Sequence, residues 1–115
     1  MPTIRFSHDW NNKVTGHNEL FTTVRGRTPE KWIYYCDRIG KIFDVVLKKK
    51  KICGAELLVV RGDRLNEIPL PLLIIDTGID NIADINKLFV KFKIPENGEV
   101  MVLVFKKVIW YADGA

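Results

Sequence analysis

The sequence predicts an α+β domain: a small, curled, mainly antiparallel β-barrel-like sheet with two or three flanking helices. Three observations predict it. β-prone runs come mostly in hairpin pairs, in the order β–β–α–β–β–(α)–α–β, which is the pattern of an α+β fold. Two stretches, Pro29–Arg38 and Asn81–Phe92, repeat apolar residues at helical spacing. The chain has 115 residues, enough for one domain over 1–115 with a core that needs no staples. A curled sheet in so short a chain tends to close into a partial barrel, which removes its edges.

Thr3–Ser7 alternates weakly and predicts a first strand. Asp9–Asn18 is polar and reads as loop, with Trp10 as a packing residue inside it. Phe21-Thr-Thr-Val24 is rich in strand formers, and Gly26 breaks the run. Thr28 is a good N-cap, Pro29 suits the first helical position and Glu30 complements the helix dipole. Trp32, Tyr35, Cys36 and Ile39 share one face and predict its buried side. Gly40 is a stop signal.

Lys41–Leu47 and Ile52–Val60 then read as a hairpin whose tip is Lys48-Lys-Lys-Lys51. The lysines either blunt an exposed strand end or meet a polyanion. Gly54 inside the second strand predicts a bulge or a close backbone approach. Arg61-Gly62-Asp63 reads as a turn, and without a secretion signal it is not an adhesion motif. Between Leu65 and Ile75, Pro69 and Pro71 exclude one long regular helix. A buried strand and one or two helical turns both stay open there. Asp76-Thr77-Gly78 reads as a turn. Asp80 is the N-cap candidate for the Asn81–Phe92 helix, with Ile82, Ile85, Phe89 and Phe92 as its buried face. Glu99–Tyr111 is the longest strand, and its unbroken apolar start, Val100–Phe105, predicts a central place in the sheet. Asp113–Ala115 is a tail.

Composition excludes several function classes. No apolar run approaches the roughly 20 residues of a membrane helix, and Met1–Asp9 lacks the apolar core of a signal peptide, so the expectation is a cytoplasmic protein with no membrane partner. Cys36 and Cys53 have no metal-type spacing, and His8 and His17 have no partner pattern, so no metal or other cofactor is expected. The charge is uneven. Residues 1–51 hold 11 Lys or Arg against 5 Asp or Glu, a net +6, whereas residues 52–115 hold 7 against 9, a net −2. A basic half favours a polyanionic partner.

The basic half contains the junction between the Phe21–Val24 strand and the helix after it. Arg25, Arg27, Lys31 and Arg38 supply cations there, and Tyr34 lies on the same stripe as Lys31 and Arg38. Phosphates attract Lys and Arg, and single-stranded bases stack on aromatic faces, so these five residues are the candidate nucleic-acid-binding set. For catalysis the candidates are Thr23 with a carboxylate, Asp76 or Glu56. No phosphate-cradling glycine loop, metal-ligand spacing or local nucleophile–base pair accompanies them.

Three places in the chain together resemble the ASCH domain family of the PUA-like superfamily. They are Thr22-Thr-Val-Arg25, the hairpin Gly40–Leu47 with Lys51–Leu57, and Asp76-Thr-Gly78 followed by the Asp80–Phe92 helix and the Glu99–Phe105 strand. The likeness covers most of residues 20–108. It implies a small β-barrel with helices over its openings and a cleft suited to RNA or a modified nucleobase. Some members of that family look like amidohydrolases of acetylated cytidine. They use a lysine three residues before the threonine of a Thr-x-Arg run, that threonine, and a downstream carboxylate. By that likeness the threonine is Thr23 and the carboxylate Asp76, but the lysine position holds Leu20. A leucine neither carries a proton nor attacks a carbonyl, so the departure argues against that reaction. The leading expectation is therefore an RNA-binding module. A small hydrolase or nuclease with an altered site is the alternative, and a protein–protein adaptor comes third.

Overall fold

Residues 1–111 are described by a computed structural model; the expected tail at Asp113–Ala115 lies outside them. The organising strand is β5, Glu99–Trp110. Successive side chains of a strand point to opposite faces. Met101, Leu103 and Phe105 therefore enter one apolar cluster, while Val100 and Val102 enter another. Both faces of the strand are covered, which explains its unbroken apolar run.

Around β5 the sheet has five strands in the order β1-β3-β4-β5-β2, with β1 Thr3–Phe6, β2 Leu20–Gly26, β3 Ile42–Leu47 and β4 Lys50–Arg64. All pairs are antiparallel except β1 with β3, so the sheet is mixed. Register shifts fall at Val45/Val46 in β3 and at Gly54/Ala55 and Leu57/Val59 in β4. Such bulges bend the strand and increase its twist. The sheet curls into a half-barrel, and its two outer strands approach closely enough for the Arg25 guanidinium on β2 to donate to the Arg5 carbonyl on β1 at 2.8 Å.

The first cluster is aromatic. Phe43 and Phe105 meet edge to face at 5.4 Å, Phe21 stacks on Phe105 at 5.3 Å, and Tyr35 of helix α1, Pro29–Cys36, stacks on Phe43 at 5.9 Å. The Thr28 hydroxyl caps α1 by accepting from the Lys31 amide. The helix ends at Cys36, earlier than the sequence pattern implied, so Ile39 lies beyond it and is exposed instead of buried.

The second cluster forms between β5 and two further helices. The segment left open by its prolines is helical: α2 spans Leu70–Thr77. Pro71 sits in its first turn, where the missing N–H has no intrahelical partner to lose. Asp76 and Thr77 belong to the last helical turn and not to a separate turn. Gly78, with φ at 75°, ends the helix in the left-handed conformation that favours glycine. Helix α3 spans Ile82–Lys91. Its cap is Asn81, not Asp80, because the Asn81 Oδ1 accepts from the amides of both Ala83 and Asp84. Its buried face is Ile85, Leu88 and Phe89. The expected outer members, Ile82 and Phe92, are 48% and 49% exposed because this ten-residue helix packs by its middle.

Two further expectations are corrected. Arg61-Gly62-Asp63 is no turn: it pairs with Val102, Met101 and Val100 inside β4, and Arg61 and Asp63 form a same-face ion pair at 2.8 Å. The hairpin tip is only Lys48-Lys49, both at positive φ, because Lys50 and Lys51 already belong to β4. Among the described residues no helix is long and apolar enough to cross a membrane.

Candidate functional site

The open side of the half-barrel, between β1 and β2, holds a cleft of about 310 Å³. Its size lies at the lower end of small-molecule pockets, roughly 300–1,000 Å³. Four cations line it, Arg5, Lys13, Arg25 and Lys31, against one carboxylate, Asp76.

Lys13 reaches the cleft from the polar loop after β1, and the loop's own chemistry holds it there. The Asp9 carboxylate accepts from the Val14 amide at 2.7 Å and from the Thr15 amide and hydroxyl. The Asn11 side-chain amide donates to the Ile75 carbonyl at 2.9 Å, which ties the loop to α2. The ammonium of Lys13, a residue only 7% exposed, then donates to Asp76 Oδ1 at 2.8 Å. The Thr22 hydroxyl donates to the same oxygen at 2.8 Å. Burial pushes the Lys13 pKa down and the Asp76 charge opposes that shift.

Arg25 is held just as firmly. Besides the Arg5 carbonyl, its Nε donates to the Thr23 hydroxyl at 3.3 Å, and its guanidinium lies 4.8 Å from the centre of the Phe6 ring. Burial lowers its pKa, yet a guanidinium stays charged in a protein. His8 and Trp10 also line the cleft, with their rings 5.2 Å apart, as do the exposed Lys31 and Phe92. Among the described residues no group of three His, Cys, Asp or Glu side chains could hold a metal ion.

A second, shallower cleft of about 380 Å³ adjoins the first and shares Gly26, Lys31, Phe92 and Ile94 with it. Its other charged members are Arg27, Lys93 and Glu99. Arg27 lies over the Trp32 ring at 4.2 Å and fills the space beside Gly62, where a Cβ would stand 2.8 Å from its Nη1.

The five cations and aromatics expected to act together are thus divided. Arg25 and Lys31 line the first cleft, and Arg27 and Lys31 the second. Tyr34 and Arg38 line neither. Tyr34 is half-buried against Tyr35 and Phe43, and the Arg38 guanidinium covers its ring at 3.8 Å while donating to the Tyr34 carbonyl. It is therefore no free stacking face. Thr23 and Asp76 do line one cleft, although the hydroxyl bonded to Asp76 is that of Thr22. Glu56 lies on β4, paired with Ile42 and Lys106, and lines neither cleft. Sequence reasoning passed over Arg5 and Lys13 and read Trp10 as a packing residue, whereas all three line the cleft. Trp10 and Val14, apolar residues within an otherwise polar loop, are the signal in the sequence that this loop docks on the body, where Val14 is fully buried.

Comparisons with known protein families, with curated proteins and with solved structures found no match.

Proposed function

We propose that the chain is a cytoplasmic RNA-binding module that takes a base of single-stranded RNA, or a modified nucleobase, into the cleft between β1 and β2. The observation that carries this reading is the excess of cations over carboxylates in a nucleotide-sized cleft lined in part by aromatic side chains. Lys13 is paired with Asp76 and Arg25 feels that carboxylate's charge, but Arg5 and Lys31 form no ion pair among the described residues. Phosphate oxygens would satisfy them, and Trp10 or Phe92 offers a π face to a base. The resemblance to the ASCH family belongs to this proposal and points the same way. The test is a salt titration of affinity for a single-stranded RNA oligonucleotide. Lys31→Ala should weaken binding to all sequences alike and flatten the salt slope by about 0.7. Trp10→Ala should cost about 1–3 kcal/mol and leave the slope unchanged. Absence of binding at about 50 mM salt, where charge attraction is little screened, would refute the reading.

One observation favours a second reading, hydrolysis of an acylated nucleobase. Lys13 meets Asp76 in the cleft that Thr23 also lines, and in this reading its ammonium would stand in for the one missing at Leu20. In such a reaction water adds to the acyl carbon, the C–N bond breaks, and an acid and a free amine leave. Lys13 and Asp76 would move the proton to the departing nitrogen, while Arg25 would hold the carbonyl oxygen. Release of acetate from acetylated cytidine, lost in Lys13→Met, is the expected result. A wild type that releases none excludes it.

A further inference from the structure

The two clefts are not independent, and their arrangement carries an inference that rests on the RNA-binding reading and extends it. They share a wall made by Gly26, Lys31, Phe92 and Ile94. Phe92 is an exposed aromatic on that wall and Lys31 an exposed cation. The second cleft repeats the chemistry of the first in weaker form: Arg27 and Lys93 stand against Glu99, so cations again outnumber carboxylates. Neither Arg27 nor Lys93 has an ion-pair partner among the described residues. Arg27 is held in place by Trp32 and by the glycine at position 62.

We infer that the second cleft is a subsite for the adjacent nucleotide of the same RNA strand. The strand would pass over Phe92, Lys31 would hold the linking phosphate, and Arg27 and Lys93 would face the next phosphate. Gly26 has no side chain to obstruct this path: a Cβ there would meet only Ile94, at 3.8 Å. Two linked nucleotides then bind in one event, and the second engages at the high effective concentration that its covalent link provides.

The experiment compares a nucleoside 5′-monophosphate with the corresponding 5′-phosphorylated dinucleotide, using wild type and the Arg27→Gln/Lys93→Gln double variant. Both substituted side chains are exposed, and the loss of the Arg27 contact with the Trp32 ring removes only an exposed cation–π interaction, so circular dichroism should match wild type with at most a small drop in melting temperature. The dinucleotide should bind wild type at least about tenfold more tightly than the monophosphate, with a salt slope steeper by about 0.7. The double variant should lose that gain and keep its affinity for the monophosphate. Equal affinities of wild type for the two probes would overturn the subsite and leave the first cleft standing. A gain that survives in the double variant would also overturn it, since the strand would then leave by another route. If neither probe nor a longer RNA binds, the RNA reading itself fails and the subsite with it.

Discussion

Between β4 and β5 the antiparallel ladder runs, through two bulges, from Cys53 opposite Trp110 to Arg64 opposite Glu99, and its flanks are filled by Leu57, Met101, Leu103 and Phe105. Between β1 and β2 the guanidinium of Arg25 crosses a gap lined by charges. The same sheet thus has a closed seam made by apolar side chains and an open seam held by polar ones. The difference teaches where each kind of energy resides. Burial of large apolar side chains, about 1.5–3 kcal/mol each, supports the closed side. On the open side a buried ion pair offers little net stability, because desolvating the two charges offsets most of their attraction. The buried pair therefore contributes little net stability, and the open seam carries the charges on which the RNA proposal rests.

That contrast is broken most severely from the closed side. Phe43 is fully buried against Tyr35 and Phe105, so Phe43→Ala should cost about 3–5 kcal/mol in a denaturant titration. A loss below about 1 kcal/mol would mean that the aromatic cluster is not the core. On the open side, Asp76→Ala strands the buried Lys13 ammonium and should cost about 3 kcal/mol. The double change Lys13→Met/Asp76→Leu removes both charges and should recover most of that loss. Failure to recover would show that the pair is a net source of stability.

The pH dependence follows from the lowered pKa of Lys13. Below its folded pKa both folded and unfolded states hold the proton, and the cost of burying the charge is present in full. Between that lowered value and the ordinary 10.5, the unfolded chain binds more protons than the folded one, so this group makes stability rise with pH. Relative to Lys13→Met, wild type should gain stability as pH climbs through that window. A relative loss there would show that attraction to Asp76 outweighs desolvation.

How much of this contrast the sequence disclosed depends on the range of the forces involved. The order of strands and helices, the central apolar strand at Val100–Phe105 and the helix after Thr28 follow from local rules, and each is present; of the expected hairpin pairs only β3 with β4 forms, because β1 pairs with β3 in parallel and β2 with β5. The length of β4 did not follow, because Gly62 looks like a turn residue until β5 lies beside it. The α2 helix was ambiguous because its four consecutive apolar residues, Leu72–Ile75, fit either period. The cleft was half legible. Arg25, Lys31, Thr23 and Asp76 were named, but Lys13 and Arg5 arrive from loop and edge-strand positions whose meaning exists only once the sheet curls. Tyr34 was misjudged because a helical stripe does not reveal that Arg38, one turn on, will cover the ring.

A smaller effect tests the bridge across the open seam. Arg25→Ala removes the charged hydrogen bond to the Arg5 carbonyl and the packing over Phe6, and should cost about 1.5–2 kcal/mol. Arg25→Lys should recover only part of it, since an ammonium cannot serve Thr23 and Arg5 from one planar group. Full recovery would reduce the bridge to simple charge.

The smallest effect concerns the hairpin tip, which belongs to neither seam. Lys48 and Lys49 both have positive φ, 49° and 71°, and the Leu47–Lys50 pair closes a two-residue loop of the kind that favours Asn-Gly. Left-handed backbone costs an ordinary side chain roughly 1–2 kcal/mol, and Asn and Gly bear less of that strain. Lys48→Asn/Lys49→Gly should therefore stabilise the fold by about 1 kcal/mol in a denaturant titration. The change also removes two cations from outside both clefts. If RNA binds at the open seam, its affinity should fall only modestly through the general field, with base preference intact. A steep loss of affinity in this more stable variant would move the binding surface to the tip and leave the open seam without a ligand.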